Sequence, residues 1–130
     1  MIFEHDFPRA SGSVPRARHF AEKSLVGLPE AFVGLVALMV SELATNALRH
    51  GATPFDVRID AADDGVAVEV SDNGTGGAVR RSPVSSDPTG RGLQVVDALA
   101  DEWGVRPAAI PGWRNTVWFS LALPGAARSG

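Results

Sequence analysis

Apolar positions along this chain follow two rhythms. From Glu30 to about His50 they recur at Phe32, Leu35, Val36, Met39, Val40, Leu43 and Ala47. That three-to-four spacing draws one oily stripe along a helix, and Gly51 then stops it. Three later segments alternate with period two: Phe55, Val57 and Ile59 in FDVRID, Val66, Val68 and Val70 in VAVEVSD, and Val117, Phe119, Leu121 and Leu123 in TVWFSLAL. Alternation of this kind predicts antiparallel strands covered on one face only. The intervening AADDG supplies a turn that joins the first two as a hairpin.

Weaker patterns complete the outline. Ile2 to Phe7 reads as an edge strand, and SGSVPRARHFAEKSL as a turn leading into an amphipathic helix with Pro15 in its first turn. LQVVDALADEW predicts a third helix, and a further strand near Trp103 to Ile110 would form a hairpin with the last one through Pro111-Gly112. The expected fold is an α+β two-layer sandwich, a mixed but mainly antiparallel sheet with helices on one face. One domain is expected over residues 1–124, with a flexible tail at 125–130.

Composition narrows the function. The chain has 130 residues and no cysteine, so thiol redox chemistry, disulfides and thiolate metal sites are excluded. The net charge is −3 and the arginines are spread along the chain, so the basic patch of a nucleic-acid binder is missing. The N-terminus does not read as a signal peptide, and the oily run from Phe32 to Val40 is too short to cross a bilayer. A soluble, cytoplasmic protein without membrane contact is expected.

Three short motifs can carry chemistry. At about 100° per residue, Ser41, Glu42, Thr45, Asn46, Arg49 and His50 fall on one side of the long helix, so Glu42 and Asn46 point together. Taken alone, the pair also fits the polar face of any amphipathic helix. In VSDNGTGG, Asp72 stands at the end of a strand, and Gly74 and Gly76 turn the chain sharply beyond it. Such a carboxylate can accept a hydrogen bond from the exocyclic amine of a nucleobase, although this pattern also occurs in ordinary turns. In TGRGLQVV, Gly90 and Gly92 precede a helix whose start suits phosphate, or simply makes a tight turn. Neither the dinucleotide fingerprint nor a Gly-Lys-Ser/Thr phosphate loop is present.

The order of these motifs resembles the ATP-binding superfamily that includes DNA gyrase B, the MutL repair proteins, histidine kinases and the bacterial anti-sigma-factor serine kinases. The resemblance covers about residues 30 to 122, and SELATNALRHG looks most like the stand-alone anti-sigma kinases. It implies a histidine-kinase-like ATPase fold with ATP and Mg²⁺ as cofactors. It further implies Glu42 as general base, Asn46 as a Mg²⁺ ligand and Asp72 as the adenine partner. Gly74 and Gly76 would shape the pocket, Thr116 would support the same edge, and Gly90 and Gly92 would close over the phosphates. Arg91 could pair with a phosphate or be solvated, as could Arg80 and Arg81. SPVSSDP reads as a lid.

The implied partners are a sigma factor and an anti-sigma-factor antagonist phosphorylated on serine or threonine, and the resemblance also implies a homodimer. The competing reading is a regulatory module that binds ATP or a partner without transferring phosphate. A hydrolytic motor fragment fits less well, because no larger domain is attached in this sequence. His50 lacks a second histidine at ligand spacing, and Trp103, Trp113 and Trp118 read as packing residues. Asp97, Asp101 and Glu102 read as the solvated face of the third helix.

Overall fold

The computed structural model describes residues 1–51, 53–74 and 91–125, excluding the side chains of residues 50, 51, 91 and 92. Its elements are β1 (Ile2–Phe7), α1 (Ser13–Ser24), α2 (Glu30–Asn46), β2 (Phe55–Ala62), β3 (Gly65–Asp72), α3 (Arg91–Leu99), β4 (Glu102–Pro107) and β5 (Asn115–Ala122). The strands form one five-stranded sheet in the order β1-β2-β3-β5-β4. The fold is the expected two-layer α+β sandwich, and among the described residues every pairing of its mainly antiparallel sheet is antiparallel.

The alternating residues explain the layers. Phe55, Val57, Ile59, Val66, Val68, Val70, Val117 and Phe119 are all buried, and they form one core with Phe32, Val36, Met39, Val40 and Leu43 of α2. Apolar area removed from water at about 25 cal/mol per Å² drives this packing. The helical run Glu30–Arg49, 20 residues with mean hydropathy 1.7, has the length and composition of a membrane span. Its apolar character is accounted for by its place in the core, between α1, α3 and the sheet.

Two boundaries differ from the sequence expectation. The α-helical bonding of α2 ends at Asn46, and residues Ala47–Gly51 continue as one π-turn. The third helix ends at Leu99 rather than running to Trp103, because Asp101 N–H already bonds to Ser120 O at 2.9 Å and the β4–β5 ladder takes over. Asp97 and Asp101 are therefore not simply solvated. Asp97 Oδ1 accepts from Trp103 Nε1 at 2.8 Å, and Asp101 Oδ2 accepts from Ala122 N–H at 2.6 Å. The SPVSSDP segment with Arg80 and Arg81, and residues 126–130 of the expected tail, lie outside the described residues.

Candidate functional site

The site is assembled where α2 ends. Ser41 Oγ donates to Leu38 O at 2.7 Å and Thr45 Oγ1 to Ser41 O at 2.8 Å, so both hydroxyls are spent on the helix itself. Glu42 and Asn46 are left as the two polar groups of that helix face, one turn apart. Glu42 is half-buried. Asn46 is 8% exposed, and its Nδ2 is buried with no hydrogen-bond partner among the described residues. Buried polar groups are nearly always paired, so an amide left in this state fits one that meets a ligand. Its oxygen is a ligand type that Mg²⁺ accepts and its N–H groups suit a phosphate, so the residue fits the implied ion.

The π-turn then leads into β2, whose first residue Phe55 pairs with Asp72 at the end of β3. Extra-wide turns of this kind recur at functional sites, where they redirect the chain. Here the turn brings Thr53 against the Asp-x-Gly turn: Asn73 N–H donates to Thr53 Oγ1 at 3.0 Å. The end of α2 and the start of the Asp-x-Gly-x-Gly motif are thereby tied to neighbouring backbone.

Asp72 is fully buried. Its Oδ1 accepts from Gly74 N–H at 2.9 Å and from Asn115 Nδ2 at 3.2 Å, and the same Asn115 nitrogen donates to Gly74 O at 2.7 Å. The chain between β4 and β5 adds two more bonds to this turn, from Asn73 Nδ2 to Gly112 O at 3.0 Å and from Arg114 N–H to Asp72 O at 3.0 Å. Gly112 adopts φ +93°, a conformation for which glycine is the natural residue in that connection.

Thr116, expected beside Asp72, is instead bonded to Ser71, hydroxyl to hydroxyl at 2.7 Å. Ser71 pairs with Thr116 and Asp72 with Asn115 across the β3–β5 ladder, and successive residues of a strand point to opposite faces. Asn115 therefore shares the helix-side face with Asp72, and Thr116 lies on the other. The signal for this was legible: counting back by two from Leu121, Phe119 and Val117 reaches 115, as counting forward from Val66, Val68 and Val70 reaches 72.

A model of the histidine kinase-like ATPase domain matches residues 7–121 of this chain. The chain belongs to that family. No curated protein matches it. The family is one of ATP-binding domains, and in this chain the structure brings Asn46, Asp72 and Gly74 onto connected elements at one end of the fold. Arg91 and Gly92 are the first two residues of α3, which packs on α2, but their side-chain surroundings lie outside the described residues. Gly76 and Gly90 lie outside them altogether, and His50 is described only as backbone of the π-turn.

Proposed function

We propose that this chain is an ATP-dependent serine/threonine protein kinase of the anti-sigma-factor type, which phosphorylates an antagonist protein and in its other state sequesters a sigma factor. The observation that carries the catalytic part is the Glu42–Asn46 pair, a half-buried carboxylate and an unpartnered buried amide one turn apart. Support for the anti-sigma type is the resemblance of SELATNALRHG to the first motif of those kinases. A cytoplasmic, homodimeric protein belongs to the same reading.

In this reading Asp72 accepts from the adenine amine and Gly74 holds the turn that orients it. Asn46 Oδ1 would hold Mg²⁺, which when bound neutralises charge on the phosphate oxygens. Glu42 takes the proton of the attacking hydroxyl. That oxygen bonds to the γ-phosphorus as the bond to the β–γ bridging oxygen breaks, and ADP leaves with the electron pair. By the resemblance Gly76 would shape the adenine pocket with Gly74, Gly90, Arg91 and Gly92 would serve the phosphates, and Thr116 braces β5 against β3.

Radiolabelled ATP and a candidate antagonist test the proposal. Label is expected on the antagonist with the wild-type chain and none with Glu42→Ala, which still binds ATP. Transfer surviving in Glu42→Ala removes that residue as base. ATP binding without transfer to any antagonist leaves the non-catalytic regulatory module.

A further inference from the structure

We propose that Asp6 and Asp56 share one proton, and that this proton latches the edge strand β1 to the rest of the sheet. The latch lies on the sheet face opposite Asp72 and is independent of any reaction with ATP.

β1 stands first in the strand order, so within the sheet it is hydrogen-bonded only to β2. At its start Met1 and Ala61 exchange both backbone bonds, Met1 nitrogen to Ala61 O at 2.7 Å and Ala61 N–H to Met1 O at 2.8 Å. Hydrogen-bonded pairs recur at every second residue of an antiparallel ladder, so Phe3–Ile59, His5–Val57 and Phe7–Phe55 are such pairs and Asp6–Asp56 falls between two of them. Side chains approach most closely at a non-hydrogen-bonded position of that kind. Two carboxyls are therefore directly opposed, and Asp56 is 1% exposed.

Opposed carboxylates with so little water between them cannot both carry a charge. The surroundings of Asp56 leave a proton as the simplest remedy. From β1 it faces Asp6, with Glu4 on the diagonal; from β3 it faces Ser71, with Glu69 on the diagonal; Arg58 stands two residues along its own strand, opposite Glu4 on one side and Glu69 on the other. Ser71 is engaged with Thr116 at 2.7 Å, and Glu69 with Arg106 at 2.9 Å. One retained proton converts repulsion between Asp6 and Asp56 into a hydrogen bond from carboxyl to carboxylate. In keeping with this, burial and then the neighbouring Asp6 and Glu4 push the Asp56 carboxyl from 3.8 up to about 9.

When β1 lifts away, Asp56 meets water and returns towards its ordinary 3.8. Between those two values each opening releases a proton, so the closed strand is fully stabilised below about 3.8 and loses that stability as pH rises towards about 9. Phe7 does not take part in the opening, because it is 3% exposed and stacked on Phe55 with ring centroids 5.4 Å apart. The moving part is Ile2 to Asp6, and the ladder amides of Phe3 and His5 report on it.

Amide hydrogen exchange followed by NMR from about pH 5 to about pH 8, corrected for the intrinsic base-catalysed rate, tests the latch on the wild type, Asp56→Asn and Asp6→Asn. In the wild type the opening constants of Phe3 and His5 should rise by up to about tenfold per pH unit, the value for one released proton, and should exceed those of the β3 and β5 amides. Asp56→Asn, whose amide can donate to Asp6 at any pH, should be as closed at pH 8 as the wild type is at pH 5. Asp6→Asn gives the Asp56 carboxylate a donor and should flatten the slope as well. A wild-type slope of zero overturns the proposal. So does a slope retained in Asp56→Asn, which puts the titration on another group, and so does exchange of Phe3 and His5 only together with β3 and β5, which makes the event global unfolding. If Asp56→Asn does not fold, Asp6→Asn is judged by the same outcomes.

Discussion

Ser71 and Thr116 face each other across the two central strands with their hydroxyl oxygens 2.7 Å apart, each about 1% exposed, on the side of the sheet away from Asp72. Thr116→Val leaves the Ser71 hydroxyl buried and unpaired, a loss of about 1–2 kcal/mol. The expected outcome is a Tm lowered by several degrees with ATP affinity within about twofold of wild type, since Thr116 lies on the face of the sheet away from Asp72. The double variant Ser71→Ala/Thr116→Val should lose less than the sum of the single losses, measurable by denaturant melts.

Asn46 predicts the opposite relation between stability and binding. Its buried Nδ2 has no partner among the described residues, and an unpaired buried amide costs about 1–3 kcal/mol. Asn46→Leu, of similar size, should raise the Tm of the ligand-free protein while abolishing Mg-dependent ATP binding. Thermal melting and titration on the same sample check both halves.

Asp56 predicts a pH dependence. It is 1% exposed between Asp6 and Ser71 on the face opposite the core, with the carboxyls of Asp6 and Glu4 beside it. Burial, and then the neighbouring carboxyls of Asp6 and Glu4, push its pKa from 3.8 up to about 9. The folded state therefore keeps a proton that the unfolded chain has released, and stability falls as pH rises from about 3.8 towards about 9. Asp56→Asn should melt several degrees higher than wild type at pH 8, and the difference should narrow as pH falls and vanish only well below pH 3.8, where both states of the wild type hold the proton.

Two strand glycines separate a rigid obstacle from a yielding one. A Cβ on Gly65 would lie 2.6 Å from the backbone oxygen of Leu121, whereas one on Gly104 would lie 2.9 Å from the indole nitrogen of Trp118. Backbone held by ladder hydrogen bonds yields less readily than a partly exposed indole. Gly65→Ala is expected to cost about 3 kcal/mol and Gly104→Ala about 1 kcal/mol, with a shift of tryptophan fluorescence only in the second.

Much of the fold was legible because it depends on local periodicity. The strand at Val66, Val68 and Val70 buries the face its spacing predicts, and so does the helix through Phe32, Val36, Met39, Val40, Leu43 and Ala47, except that Leu35 of the same stripe is 39% exposed. DALADEW keeps a helical rhythm past Leu99, where the helix ends, and nothing local shows that Asp101 will bond to Ser120. The resemblance points to Thr116 in RNTVWF, which lies on the other face of the sheet from Asp72. Strand parity would have selected Asn115.

By itself, the sequence determined which segments are helix and which are strand, which face of most of them is oily, that Glu42 and Asn46 share one helix face, and that Asp72 ends a strand. These properties follow from the rotation per residue, which is the same in every helix or strand. Only the tertiary structure decided that Asp72 meets Asn115, that Asn46 is followed by a π-turn, and that Asp56 is buried beside two other carboxyls. Those facts depend on the register between strands far apart in the chain, and register is set by the whole core packing at once.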